Sequence, residues 1–501
     1  MKETAIVIGG GMGGLFTAAL LAKKGLKVTV LEKNKNIGGG LQSFKKHGKI
    51  FDAGLHVVAG MHKGGSLHKI CCYLGILDSL KLEDCTDNLT YFSSGKTYHI
   101  PNGREAFVDA LASEFPHERR GLEEYVEALY AVTREFDLYY LRPSDDFFTS
   151  VSETAMMPAD EFIAQYICDE RLRDILAYMN PMYAGVAGQT PAYVHALLNV
   201  VFLNGRQRFV GGASQLANAL AKVITDAGGC VKAKTEVTRI LMRDKRIAAV
   251  ETADGKCYTA DVYISDVHPR HLISLIDGKG LSKAYTERVN AMPVGYSAFM
   301  LFITLKEGII PYDNINHYYQ DDYGLAWQRV DSRSWPNALM MMTPPEENQG
   351  RWASKIYAAA TMSYEQVSRW ADTRRKHRGD DYEQWKRRHI ELMLSKMERL
   401  YPQLRDAIDE VVAGSPLTIR DYFNTPEGSM YGNIKDCNNF ALSMLPVITK
   451  VPNLLLTGQN VNLHGICGVP LTAVSTAEVV VGHNTIIEEI NNKYNNLYGN
   501  N

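Results

Sequence analysis

The residues best placed to do chemistry are five glycines and one acid near the start of the chain. The segment Thr4-Ala-Ile-Val-Ile-Gly9-Gly-Gly11-Met12-Gly13-Gly14 carries an apolar strand straight into Gly-x-Gly-x-x-Gly, and an Ala- and Leu-rich helix follows. A second apolar strand, Lys27 to Leu31, ends on Glu32. This is the pattern of a βαβ unit that holds a dinucleotide. Gly9 permits the tight turn, Gly11 lets backbone N–H groups approach a pyrophosphate, and Gly14 brings helix and strand together. The positive end of the helix then faces the phosphates. Glu32 stands eighteen residues after Gly14, where a carboxylate accepts from both ribose hydroxyls. A 2′-phosphate would be repelled there, which disfavours NADP. Ala18, at close-packing spacing, and Gly25, in the helix-to-strand turn, agree with the same unit.

The opening motif does not separate NAD from FAD. Two further features favour FAD. Gly38-Gly39 lies just past the ribose-binding acid, where a second tight turn can pass beneath a pyrophosphate. Far along the chain, Asn453-Leu-Leu-Leu-Thr457-Gly458-Gln459 is a strand and turn, and His464-Gly-Ile-Cys-Gly468-Val469-Pro470 opens another helix. A helix N-terminus at the N1–C2=O edge of a flavin stabilises the negative charge of its reduced form.

The elements that must position these turns fit more than one lobe. The chain has 501 residues, 46% of them hydrophobic, and a formal net charge of −2, which excludes a strongly basic nucleic-acid binder. Its eight cysteines include no Cys-x-x-Cys pair, so no metal site is expected. The first strand begins almost at residue 1, leaving no room for a secretory signal, and no apolar run approaches the roughly 20 residues of a membrane span. A cytoplasmic location fits these features. The spacing predicts helices over 104–140 and 158–202, a further helix from Phe209-Val-Gly-Gly to Ala227, and hairpins at Asp244-Lys245 and Asp254-Gly255. Strands are expected at 299–304, 339–342 and 356–361. The region 364–404 reads as charged helix broken near Gly379. Its basic tracts, Arg374–Arg378 and Lys386–His389, are interleaved with acids. A solvated face is the favoured reading, with peripheral membrane contact as the alternative. A helix is expected from Leu471 to Ile490, with Pro470 near its first turn, and the Asn-rich residues 491–501 read as a frayed tail.

Taken together, these pieces resemble the superfamily of phytoene desaturases, carotenoid isomerases and retinol saturases. The resemblance runs over nearly the whole chain. It rests on Gly9 to Glu32, Gly38-Gly39, Phe51-Asp-x-Gly54-x-His56, Val210-Gly-Gly212, Glu236-Val237, Ile264-Ser-Asp266, the run from Ser415-Pro-Leu-Thr to Gly428-x-x-Tyr431-Gly432, and Leu456-Thr-Gly-Gln459 with Gly465 and Gly468. The Thr-Gly-Gln and Gly-x-x-Tyr-Gly elements are closest to the retinol saturase branch. The resemblance implies an α/β fold: a Rossmann-type FAD domain of the amine oxidase and phytoene desaturase kind, with an inserted α+β substrate domain. The FAD domain is drawn over 1–100, 205–275 and 437–490, and the substrate domain over 101–204 and 276–436.

By the same resemblance, Gly9, Gly11, Met12, Gly13 and Gly14 meet the pyrophosphate, and Glu32 and Lys33 the adenosine ribose. Gly38, Gly39 and Gly40 pass beneath. Val237 meets the adenine through its backbone. Gly54, Leu55, His56 and Val57, with Gly458, Gln459, Gly468 and Val469, border the ribityl chain and ring. Gly40 and Asn460 depart from the family, which commonly has a basic residue and Asp there. The implied reaction is desaturation, saturation or isomerisation at carbon–carbon double bonds of a long apolar isoprenoid or polyene lipid. The electron donor or acceptor is not specified. His56 and His464, in the ring-side motifs, are the candidates for moving a proton, and Tyr431 is a candidate lining residue of the substrate chamber. The competing readings are a flavin-dependent isomerase of polyunsaturated fatty acids, a flavin amine oxidase, and a prenyl-lipid-binding chaperone without redox chemistry.

Overall fold

The structure is a computed structural model and describes residues 3–85, 87–145, 151–277, 280–327, 334–439 and 442–499. Its organising element is a five-stranded parallel sheet. In spatial order the strands are Cys230–Lys232, β2 (Lys27–Leu31), β1 (Thr4–Ile8), Val262–Ser265 and Leu454–Leu456. Three distant stretches of chain therefore build one sheet. The register places Ile8 between Leu31 and Ser265, so the turns after β1, after β2 and after Val262–Ser265 open at the same edge. That edge is where ligands bind in sheets of this kind. Helix α1 (Met12–Lys23) is buried at every residue from Gly13 to Ala22, because helices Gly465–Val481 and Ser214–Asp226 pack against it. A helix apolar all round needs such cover.

A seven-stranded sheet forms the second lobe. Its spatial order is Ile408–Gly414, Ser297–Leu305, Lys355–Met362, Ala338–Met342, Asn316–Gln320, Asn88–Phe92 and Thr97–His99. Ser297–Leu305 is buried along its whole length, which is why it reads as an unbroken apolar run rather than an alternating one. The helix Asp380–Met397 covers one face through Met393, Leu394 and Met397. The Asp244-Lys245 hairpin forms with both residues at positive φ, as a two-residue turn requires.

Three sequence expectations need correction. The domain boundary at residue 100 falls too late, since Asn88–Phe92 and Thr97–His99 belong to the second sheet. Asn88 pairs in parallel with Asn316 and accepts its side-chain N–H at 2.8 Å, a long-range partnership that local pattern does not display. The tail from residue 491 is helical as far as Tyr498, not frayed. The helix Thr485–Tyr498 buries Ile486, Ile487 and Ile490, and Tyr73 donates to Glu489 at 2.6 Å. Asn492, Asn495 and Asn496 lie on its outer side and conceal this apolar spacing, while Asn491 donates to the Leu141 carbonyl at 2.7 Å. Finally, the C-terminal helix is two helices, Gly465–Val481 and Thr485–Tyr498. Gly482, at φ +119°, ends the first, and the buried Glu478 carboxylate accepts the N–H groups of Ile486 and Ile487 at 3.1 and 3.0 Å. Pro470 sits in the second turn of the first helix. Among the described residues, no single helix is long and apolar enough to cross a bilayer.

Candidate functional site

The site begins at the turn after β1. Gly9 adopts φ +98°, a region that a side chain disfavours. A Cβ on Gly14 would stand 2.2 Å from the Gly9 carbonyl oxygen, so only glycine allows α1 to start this close to the strand. The second glycine cluster rests on the first. Gly38 donates to the Gly10 carbonyl at 2.6 Å, and a Cβ on Gly39 would come within 3.2 Å of Gly11 Cα. Gly54 packs on Gly40 in the same manner, its Cβ position 3.2 Å from the Gly40 backbone. A larger residue at position 54 would press on this joint, whereas a Cβ at Gly40 would meet nothing within 4 Å. The turn after Leu454–Leu456 completes the ring of glycines: a Cβ on Gly13 would stand 2.7 Å from Gly458 Cα. Thr17 and Thr457 hydroxyls share a hydrogen bond of 3.0 Å just behind it.

One carboxyl group lies at the centre of this ring. Asp266, at the end of Val262–Ser265, comes within 2.4–2.5 Å of the Cβ positions that Gly11, Gly13 and Gly458 leave empty. It accepts the backbone N–H groups of Gly11 and Gly14. Burial is the largest influence on it, and with Glu32 nearby its pKa is pushed up to about 7. Glu32 is itself buried. Its two oxygens accept from Gly10 at 2.8 Å and Asn34 at 2.7 Å, which leaves lone pairs for hydroxyl donors. Met12 opens α1, Lys33 lies half-exposed after Glu32, and Val237 is buried at the start of its strand.

The other half of the site is aromatic. His464 caps the helix Gly465–Val481, and its ring lies 5.5 Å from that of Tyr431. Burial, then the charge of Lys435, pushes the His464 pKa down to about 4. Gly468 is required by the Leu463 side chain, 2.4 Å from its Cβ position, and Val469 is buried beside it. Gly432, next to Tyr431, touches the turn after Gly458: its Cβ position is 2.7 Å from Asn460 Oδ1, a buried oxygen without a hydrogen-bond partner among the described residues. Gln459 therefore stands between the glycine ring and the aromatic wall. Across from it, the His56 ring stacks on Tyr357 with centroids 3.5 Å apart. Burial and Arg208 hold His56 neutral, its pKa lowered to about 3, and its Nε2 has no partner among the described residues. Leu55 is half-buried and Val57 buried on either side. Tyr357 and Tyr431 lie close enough to raise the Tyr357 pKa electrostatically.

The structure thus brings the glycines of four separated segments together around one helix end, and His464 and Tyr431 together beside Gln459. His56 belongs to a different wall, with Tyr357. Neither histidine is imidazolium at neutral pH, so neither is a ready acid. Sequence reasoning missed Lys435, which is buried, donates to the Ser443 carbonyl at 2.6 Å and has a pKa lowered to about 7 by burial. It also missed Tyr357, Arg208 and the central place of Asp266. A lysine or arginine inside an otherwise unremarkable segment gives no local sign that it will be buried. The glycine cradle, the helix N-terminus and two polar atoms without partners among the described residues, His56 Nε2 and Asn460 Oδ1, fit a flavin cofactor.

Comparison with known proteins agrees with this geometry. Residues 12–306 match the family described as flavin containing amine oxidoreductase. The all-trans-retinol 13,14-reductase of Danio rerio is 27% identical, over 97% of this chain and 87% of that protein. A chloroplastic prolycopene isomerase from an Oncidium hybrid cultivar is 24% identical, over 85% of this chain and 75% of its own length. Among solved structures, an oxidoreductase from Methanosarcina mazei superposes with a TM-score of 0.65 at 17% identity, covering 95% of this chain and all of the other.

Proposed function

The chain belongs to the flavin containing amine oxidoreductase family, within the superfamily of phytoene desaturases, carotenoid isomerases and retinol saturases, and from that premise we propose that it binds FAD and acts on carbon–carbon double bonds of a retinoid- or carotenoid-type polyene. The observation that carries this reading is the sign of the buried charge. Arg208 and Lys435, both buried, lie near His56 and His464 respectively. Arg208, joined by Lys435 in its protonated form, repels a substrate ammonium in a low-dielectric site, which argues against amines. The flanking walls of Tyr357, Tyr431 and His56 suit an apolar, π-rich substrate. The retinol reductase and prolycopene isomerase relatives support the same substrate class.

In this reading Gly9, Gly11, Met12, Gly13 and Gly14 hold the pyrophosphate through backbone N–H groups. Glu32 and Lys33 meet the ribose, Val237 the adenine, and Gly54, Gln459, Gly468 and Val469 the ribityl chain and ring. The bound flavin supplies the electron exchange with the double bond. The chain's own part is to orient the polyene, exclude water and manage a proton. His464 and His56, held neutral, donate or accept hydrogen bonds at the ring edge. Lys435 titrates near neutrality, so it is the group able to hold a mobile proton beside His464. A substrate of this class resides in membranes. The reading therefore includes peripheral contact from the cytoplasm, with exposed Arg374, Arg375, Arg387 and Arg388 as the basic face.

The test is an absorbance spectrum of the purified protein, repeated after anaerobic reduction and again after addition of retinol. Flavin bands that bleach on reduction and return with loss of polyene absorbance establish saturation. Isomerisation of a carotenoid without bleaching establishes the non-redox variant. A protein that holds no flavin after incubation with FAD sinks the reading.

A further inference from the structure

A cleft of about 680 Å³ opens between the turn 61–63, the start of the strand Arg206–Phe209 and the start of the helix Arg104–Glu114. That is the size of a small-molecule site. No residue of the glycine cradle or the aromatic wall lines it. One partition separates it from the ring side, since Gly60, beside Met61, has its Cβ position 3.4 Å from Cys467 Sγ. Four lining residues hold a buried polar atom without a partner among the described residues: His62 Nδ1, Asn102 Oδ1, Arg206 Nε and Gln207 Oε1. Buried polar atoms are normally satisfied, so four around one cleft offer their bonds to a ligand.

What these atoms can bind is set by the bonds their residues already make. Gln207 gives its Nε2 to Asp84 at 2.7 Å, and Asn102 gives its Nδ2 to the Cys85 carbonyl at 2.9 Å. The atoms left over are therefore amide oxygens, which only accept. Arg206 is 2% exposed. Its Nη2 donates to the Ile100 carbonyl at 3.1 Å and its guanidinium meets the Tyr178 hydroxyl; both partners are neutral, and the Nε–H remains as a donor. Neither Lys63 nor Arg206 has a carboxylate partner among the described residues. Arg104, the third cation of the lining, pairs with Glu127 at 3.4 Å. Asp84 is the one acid among the described lining residues, so the cleft keeps a positive charge in surplus even with Asp84 ionised. The helix Arg104–Glu114 begins here without a side-chain cap, which adds N–H donors at its positive end.

We infer that this cleft binds a hydroxylated phosphate ester, its phosphate at Arg206 and Lys63 and its hydroxyls at the amide oxygens of Asn102 and Gln207. A phosphate monoester brings about two negative charges and three acceptor oxygens, which two cations without carboxylate partners and an uncapped helix start can take up. The amide oxygens need hydroxyl donors on the same ligand. A soluble nucleotide and the head group of a phosphorylated inositol lipid share this chemistry. The inference goes beyond the polyene reading and does not depend on it.

The experiment uses the full chain loaded with FAD, so that the dinucleotide cradle is already occupied. Calorimetry compares AMP with adenosine, and co-sedimentation compares phosphatidylcholine vesicles with and without phosphatidylinositol 4-phosphate. The phosphate-bearing probe should bind about tenfold or more tightly than its phosphate-free counterpart, as charge-assisted hydrogen bonds imply. Arg206→Gln should weaken it by about tenfold. Lys63→Gln, at an exposed side chain that folding does not need, should weaken it by about threefold and carries the test if Arg206→Gln fails to fold. AMP binding with no preference among vesicles upholds the inference with a soluble ligand. Vesicle binding that needs the phosphoinositide and falls in Lys63→Gln, with AMP silent, upholds it with a lipid head group. Binding of neither probe overturns it, as does adenosine binding as tightly as AMP. A loss no greater in Lys63→Gln than in Lys245→Gln, which alters an exposed lysine outside the cleft, overturns it too, because the attraction then belongs to the surface at large.

Discussion

At the scale of single residues, Asp266 decides the character of the dinucleotide cradle. Its carboxyl occupies the space kept open by Gly11, Gly13 and Gly458 and takes N–H groups at the start of α1. Its pKa is raised to about 7 from an ordinary 3.8. A carboxyl raised on folding stabilises the native state fully below its unfolded pKa and loses that contribution as pH rises through its folded pKa. The flavin-free protein should therefore lose stability between about pH 4 and pH 7, by roughly 1–3 kcal/mol once partial solvent access is allowed for. Asp266→Asn should abolish that slope; urea midpoints across the range measure it, and an unchanged slope refutes it. Gly13→Val is expected to push the Gly458 turn away, because the added Cβ would lie 2.7 Å from Gly458 Cα. Flavin content of the purified variant, read from the absorbance ratio of flavin to protein, should fall at least tenfold while far-UV circular dichroism holds. The fingerprint glycines and Glu32 were legible because local backbone demands fix their identity. The neutral state of His56 and His464 was not, because burial by remote strands causes it.

At the scale of elements, the helix Thr485–Tyr498 shows how composition can mislead. Its asparagines suggest a loose end, but Ile486, Ile487 and Ile490 form a stripe that docks beside the helix Ser66–Leu74. Ile490→Ala should cost about 2–5 kcal/mol, the range for emptying a fully buried aliphatic site, and should expose the C-terminal helix to limited proteolysis. A variant as protease-resistant as the wild type would show that this helix holds without its stripe. Helix α1 was the opposite case. Its strand–turn–helix context is local, and its apolar sequence matches the burial from both sides that the fold supplies. The strands near residues 88–99 lacked any such signal, since the partner at 316–320 lies over two hundred residues away.

At the scale of the whole molecule, the cradle is assembled from segments near residues 9–14, 32–40, 54, 266 and 458. A ligand bound at such a junction stabilises only the assembled state. Removing the flavin should therefore lower the melting temperature, and re-adding it at about a thousand times its dissociation constant should recover about 4 kcal/mol. Calorimetry with and without FAD checks this; identical transitions would mean that the segments are held in place without it. The second lobe is tied to the same junction, as Arg208 reaches Asn314 and Asn316, and Lys355 donates to the Ile50 carbonyl at 2.6 Å.

The sequence by itself determined the βαβ unit, the succession of glycine turns and the superfamily, because each depends on backbone conformations and spacings within a few tens of residues. Tertiary structure alone decided which charges are buried and what faces them. Arg208, Asp266, Lys435 and both histidines acquire their chemistry from strands and turns that are remote in sequence. Desolvation depends on how completely those elements close over a group, and the identity of the residue does not encode it.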